Sequence, residues 1–306
     1  MVTLDKIHIE APISALRGEK RYYDKKKPFL ISVKTSPSYC NRVKIAFTAK
    51  ILLDDYPQFI NRETIRRCLE KVCEISSVDL DIDSILEEGK VTKCDFTKDI
   101  PIENMIGLNN DPQNFKRLIP LSLKNHQQYS WDAYRNGNIK IQKSVSVDSD
   151  GSKLRLTFYT KFNEIIRRGN DEFRTLLNDE QELRNYFYNK VRVEVNAYSS
   201  KQIKRWLDIR DNRISSVLNA DGNPIKEAIK EVFVPVNITN RQLRLAEQDK
   251  IGLLKECDWD MGRIEAIVRE RVGNHWTEKM PIYRELNLQF NPELNQIRQV
   301  NIADWV

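Results

Sequence analysis

Hydrophobic and polar residues alternate with period two over residues 2–10, 43–52, 90–99, 138–147, 153–163 and 190–198. This is the spacing of half-buried strands, whose successive side chains face opposite ways. Between these runs the period lengthens to that of a helix. Asn61 is placed to cap a helix over residues 62–75 that aligns Ile65, Leu69 and Val72. Asp171 opens a second helix carrying Phe173, Leu176, Leu177, Leu183 and Phe187. Ser199 or Ser200 caps a shorter one with Ile203, Trp206 and Leu207 along one side. Asp-Gly within residues 148–151 is a hairpin signal, so the strands flanking it are expected to pair antiparallel. The pattern predicts an α+β fold: a largely antiparallel sheet with helices on one face, followed by a smaller, mostly helical C-terminal region. The turn-rich stretch after Ala220 sets the expected division into domains 1–220 and 221–306.

Splitting the strands by period two exposes a chemical face. In the strand around Phe158, Leu154, Leu156, Phe158 and Phe162 are apolar, whereas Arg155, Thr157, Tyr159 and Lys161 point the other way. The strand after residue 190 sets Val191, Val193, Val195 and Ala197 against Arg192, Glu194, Asn196 and Tyr198. A third places Lys93, Asp95, Thr97 and Asp99 opposite Cys94 and Phe96, so the Cys94 thiol is expected in the core. If these strands are neighbours, Asp95, Tyr159, Lys161, Arg192 and Glu194 meet above one sheet. Two carboxylates are hard oxygen ligands for Mg²⁺ or Mn²⁺, and a tyrosine is able to attack phosphorus as a covalent nucleophile. A phenol with a pKa of about 10 needs a nearby cation to ionise, and Lys161 stands two residues from Tyr159. Tyr198, on the face of Glu194, is the alternative nucleophile. His8 and Glu10, on one face of the first strand, offer a further ligand or an ordinary structural hydrogen bond. The same alternation also fits a plain amphipathic sheet whose polar face is solvated.

Composition narrows the classes without choosing among them. The 306 residues are 40% hydrophobic, enough for one or two cores, and 50 Lys+Arg against 44 Asp+Glu leave a net charge of +6. That excess is thin for a nucleic-acid binder, but it is locally concentrated. Residues 17–27 (RGEKRYYDKKK) set Lys25, Lys26 and Lys27 beside Tyr22 and Tyr23, and residues 203–213 carry Lys204 and Arg205 on an expected helix. With Arg155 on its strand, these are the expected DNA-backbone contacts. No apolar run approaches the roughly 18 residues a membrane span requires, and the start of the chain lacks the pattern of a signal peptide. Five cysteines with no C-x-x-C spacing suggest free thiols in a reducing compartment, and three scattered histidines do not make a histidine metal site. No phosphate-loop motif is present, so ATP-driven unwinding within this chain is not expected.

The order F-Y-T-K (residues 158–161), a helix, V-R-V-E-V (residues 191–195) and another helix resembles the phage and plasmid replication initiators typified by the filamentous-phage gene II protein. The opening MVTLDKIHIEAP is similar to that family's first strand, and KVTKCDFTKDIPI to its strand with an acidic residue ahead of a short helix. The resemblance covers roughly the first 210 residues. It implies a rolling-circle initiator that nicks one strand of origin DNA and stays joined to the 5′ phosphate through a tyrosine. Carried over, the family's Y-x-K motif falls on Tyr159 and Lys161, its R-x-E strand on Arg192 and Glu194, and its acidic residue on Asp95. Asp95 and Glu194 are then the ligands of a divalent metal, Mg or Mn. The expected partners are origin DNA, duplex and single strand, with a host helicase and polymerase, in the cytoplasm of a bacterial host and away from membranes. The C-terminal region is expected to bind DNA or a partner. The wider pattern's His-x-His pair is missing. A non-catalytic DNA- or RNA-binding regulator is the alternative, and an interaction protein the plainest one.

Overall fold

The computed structural model describes residues 1–17, 22–23, 28–35, 41–101, 127–132, 138–143, 154–166, 170–188, 190–232 and 243–292. The strands are β1 (Leu4–Pro12), β2 (Leu16–Arg17), β3 (Tyr22–Tyr23), β4 (Ser32–Thr35), β5 (Arg42–Thr48), β6 (Asp79–Leu80), β7 (Lys90–Pro101), β8 (Gln127–Asp132), β9 (Asn138–Lys143), β10 (Arg155–Thr160) and β11 (Lys190–Ala197). The helices are α1 (Ile65–Ser76), α2 (Ile82–Glu88), α3 (Lys161–Ile166), α4 (Asp171–Thr175), α5 (Glu180–Phe187), α6 (Ser200–Leu207), α7 (Ile214–Leu218), α8 (Pro224–Val232), α9 (Leu245–Glu256), α10 (Met261–Val272) and α11 (Trp276–Phe290), with a 3-10 segment over Ala49–Gln58. The fold is α+β, as the periodicity predicts. One nine-stranded sheet runs in the order β3-β4-β5-β1-β7-β11-β10-β9-β8, every neighbouring pair antiparallel. β9 and β10 pair as the Asp-Gly signal requires, although the turn itself lies outside the described residues.

The apolar halves of the strands make one face. Ile7, Ile9, Val43, Ile45, Cys94, Phe96, Leu156, Phe158, Val193 and Val195 are all buried, which places Cys94 in the core as expected; burial pushes its thiol well above the usual range. Helices close this face because each has an apolar stripe. Asn61 Oδ1 accepts from the amides of Glu63 and Thr64, starting the turn that leads into α1, and α1 buries Ile65, Leu69 and Val72. Ser199 Oγ accepts from the Gln202 amide at the start of α6, the cap anticipated from its sequence. α6 then lays Trp206 edge-on against Phe96, ring centroids 6.4 Å apart. Gly89 lets α2 meet β1: a Cβ there would lie 2.2 Å from Ile85 O and 3.2 Å from Ile9 Cγ2.

Two departures from the periodicity matter for function. The strand expected over residues 153–163 stops at Thr160, and Lys161 opens α3 instead. The helix expected from Asp171 breaks into α4 and α5, with Asp179 capping the second. The structure divides after Val232 rather than at 220, because α8 still packs on β7 and β11. The second unit, considered by itself, is a helical bundle of α9, α10 and α11 around Leu254, Ile264, Val268, Met280 and Leu286. No helix among the described residues is long and apolar enough to cross a membrane.

Trp206 is 2% exposed and its indole N–H donates to Glu231 at 2.8 Å, tying α6 to α8. Trp206→Ala is expected to cost about 3–5 kcal/mol, read as a lower urea midpoint for the unit that holds the sheet.

Candidate active site

The antiparallel register brings the expected side chains onto one face. Across β10, β11 and β7, Tyr159 lies opposite Arg192 and Arg192 opposite Asp99; Thr157, Glu194 and Thr97 form the next row, and Arg155, Asn196 and Asp95 the one after. The face is not a simple solvated surface. Over its Arg192 end sit the 3-10 segment Ala49–Gln58 and helices α3 to α5, with Tyr56 packed against Phe173 and Phe187 at 5.7 Å each. Arg192 is 0% exposed, Lys161 2% and Tyr159 9%, whereas Arg155, Glu194, Asn196 and Asp95 are half-buried. Exposure therefore rises along β11 from a closed end at Arg192 to an open end at Asn196.

Arg192 organises the closed end. Its Nε and Nη2 donate to the two carboxylate oxygens of Asp99 at 2.7 and 2.9 Å, its Nη1 donates to Asp5 at 2.9 Å, and Nη1 also donates to the Tyr56 hydroxyl. Tyr56 in turn donates to Asp5 at 2.6 Å. The guanidinium carbon lies 4.7 to 5.1 Å from the ring centroids of Tyr56, Phe59 and Phe187. Four of its five N–H donors are taken, and with no exposed surface the guanidinium is closed to a substrate phosphate. Arg192 is a positioning residue, which corrects the expectation that it stabilises charge on the phosphate directly.

Beside Arg192 lies a second polar group, with Tyr159 in the same row and Glu194 one step toward the open end. The Tyr159 hydroxyl donates to Glu194 Oε1, and Lys161 Nζ approaches the phenol oxygen at 3.4 Å. From the start of α3, rather than from a strand, Lys161 also pairs with Glu164 at 2.7 Å and lies 5.2 Å and 5.4 Å from the Tyr56 and Tyr159 ring centroids. Lys50 closes the group with bonds to Glu164 at 3.3 Å and Asn170 at 2.8 Å. Burial, and then Glu194, hold the Tyr159 phenol well above its ordinary pKa, so it is neutral at rest. Burial raises the Glu194 carboxyl to about 7, with Asp5 adding to the rise. Burial would raise Asp5 as well, but Lys161 and Arg192 outweigh it and hold Asp5 below the ordinary carboxylate value. A phenol bonded to a carboxyl that titrates near neutrality, with an ammonium beside its oxygen, is suited to losing its proton during attack.

Asp95 reaches the same face but makes a separate contact, accepting from Asn196 Nδ2 at 2.6 Å. Its carboxyl is also raised, chiefly by burial. Both proposed metal ligands are thus oxygens whose negative charge is only partly compensated, which fits a hard divalent cation. Among the described residues no group of three or more His, Cys, Asp or Glu side chains is gathered around a metal position. Such an ion would draw its other ligands from water or phosphate, as magnesium commonly does.

The remaining expectations are dispersed. Tyr198 stands one residue past β11, 37% exposed, with its amide bonded to Gln202. Lys204 and Arg205 ride on α6 over the apolar face, and Arg205 is paired with Glu231, so neither borders Tyr159. Arg155 does lie on the polar face, with its Nε buried and unbonded among the described residues. Lys25, Lys26 and Lys27 lie outside the described residues. Asp5, Lys50, Tyr56 and Glu164 are members of the cluster that the periodicity did not single out. Comparison with protein-family models, with curated proteins and with solved structures finds no match to this chain.

Arg192→Met leaves Asp99 and Asp5 buried without their cation. The expected loss is about 3–5 kcal/mol of unfolding free energy in urea, and Arg192→Lys is expected to recover only part of it because the two-pronged bond to Asp99 is lost.

Proposed function

We propose that the chain is a rolling-circle replication initiator of the kind its motifs resemble: a DNA strand-transferring endonuclease that nicks one strand of origin DNA through a phosphotyrosine at Tyr159. The observation that carries this reading is the Tyr159 hydroxyl bonded to Glu194 with the Lys161 ammonium beside it. The scissile phosphate approaches from the open, Asp95 and Arg155 side of the face. Tyr159 Oη attacks phosphorus as its proton passes to Glu194, while Lys161 stabilises charge on the phenol oxygen. The P–O3′ bond breaks and the leaving O3′ takes a proton from water, so a 5′ phosphotyrosine remains with a 3′ hydroxyl to prime a polymerase. A divalent ion, Mg or Mn, held by Asp95 and Glu194, would polarise the phosphate when bound. Glu194 thus has two assigned duties, ligand and proton acceptor, and both need it ionised. Arg155 contacts the backbone. The work takes place in the cytoplasm of a bacterial host, with the host's helicase and polymerase as partners.

A second reading has one observation in its favour. Tyr159 is only 9% exposed, as expected if the cluster were structural and the chain a non-catalytic DNA- or RNA-binding protein.

Labelled origin DNA incubated with the protein and Mn²⁺, then denatured, separates the two. The nicking reading predicts label on the peptide holding Tyr159, no adduct from Tyr159→Phe, and most of it retained by Tyr198→Phe. A nicked product with no protein adduct would leave a hydrolase, and no nicking at all would leave the binding protein. Adduct formation should also be lost on acidification, since Glu194 must shed its own proton before taking one from Tyr159, with a midpoint below the metal-free value of about 7 because a bound cation favours the carboxylate. Glu194→Gln should abolish the reaction at every pH.

A further inference from the structure

The polar face of the sheet continues past Asp95 toward the other edge. In one row Lys93 lies opposite His8, His8 opposite Ala46, Ala46 opposite Ser32 and Ser32 opposite Tyr23. In the next, Lys34 lies opposite Lys44 and Lys44 opposite Glu10. Lys6 faces Asp95 across β1 and β7, which joins this half of the face to the candidate active site. Lys6, His8, Tyr23, Lys34, Lys44 and Lys93 line a cleft of about 420 Å³.

Its charge is one-sided. Glu10 holds Lys44 at 3.0 Å, but among the described residues neither Lys34 nor Lys93 has an ion-pair partner. Lysines grouped this way repel one another, and a polyanion laid across them relieves that repulsion. His8 reports the same field, because burial and then Lys6, Lys93 and Lys34 push its pKa down to about 4. At one end Tyr23 is 58% exposed, with the Lys34 ammonium 5.8 Å from its ring centroid. Cations on a shallow sheet face beside an accessible ring are the elements that hold an unpaired strand: phosphates on the lysines, a base on the ring.

We propose that this cleft binds the backbone of single-stranded DNA, with Lys34 and Lys93 on phosphates and Tyr23 as a stacking surface, and guides the strand toward Tyr159. The inference takes from the proposed function only that the ligand is DNA. Tyr159 lies two strand spacings across the sheet from β7 and, in the row of Asp99, six residues along it from Lys93, roughly 10 Å by 20 Å, a span of a few nucleotides. A bound strand is therefore able to span cleft and cluster on one continuous face.

The test is anisotropy of a labelled single-stranded origin oligonucleotide with the full chain, titrated between 50 and 200 mM salt. Lys34→Gln/Lys93→Gln should bind at least tenfold more weakly at 100 mM, and the slope of log K against log salt should shrink by about 1.4, at about 0.7 per lost phosphate contact. Lys34→Arg/Lys93→Arg should bind as the wild type does, and Tyr23→Ala should lose roughly tenfold on single strands while duplex binding holds. Both lysines are exposed, so thermal unfolding should be unchanged and a binding loss cannot be laid to misfolding. Unchanged affinity and slope in the Gln variant would overturn the cleft, even with a wild-type adduct on Tyr159. An equal loss on duplex and single strand would overturn the single-strand assignment. Binding lost as predicted, in a protein that never forms the adduct, would uphold the cleft and reject the nicking reaction.

Discussion

A guanidinium removed from water is the constraint on which the polar half of this fold depends. Arg192 sits on a central strand with no exposed surface, and an unpaired charge there would cost several kcal/mol. Asp99 satisfies it from the adjacent strand, Asp5 from the strand beyond, and Tyr56 from the segment that covers the sheet. Three separate parts of the chain must arrive before the ion is compensated. The ion ties β1, β7, β11 and the covering segment to one another, and Tyr159 and Glu194 take their positions from the strands it joins.

That arrangement also explains why two carboxyls on one face behave differently. Asp5, between Lys161 and Arg192, is held ionised by both, whereas Glu194, a residue pair farther on, is raised to about 7 chiefly by burial, with Asp5 adding as a like charge. Environment, rather than residue type, separates a structural carboxylate from the proposed proton acceptor. Toward the open end the same face changes character again, from a balanced buried network to the lysines around His8.

Much of this was legible in the sequence because strands keep a strict period of two. The sharing of one face by Asp95, Tyr159, Arg192 and Glu194 follows from alternation plus adjacency, and Asp99 could have been added by extending the same ladder one step. What stayed hidden has identifiable causes. A register shift between Leu4 and Lys6 turns Asp5 onto the polar face, which no periodic reading anticipates. Tyr56 and Lys50 belong to an irregular 3-10 segment where strand alternation had been read as far as Leu52. Lys161 continues the alternation in sequence yet begins a helix, so its position beside Tyr159 owes nothing to strand periodicity. Nor does alternation distinguish a polar face open to water from one covered by Phe173 and Phe187.

The central claim is that the sheet holds Glu194 as a proton acceptor for Tyr159. The direct measurement is the carboxyl ¹³C titration of Glu194 in selectively labelled, metal-free protein, assigned with Glu194→Gln. A midpoint near 7 is expected, well above the ordinary value for a glutamate. A midpoint near 4.5 would contradict the account, because a carboxylate that weakly basic would leave Tyr159 without a partner able to take its proton.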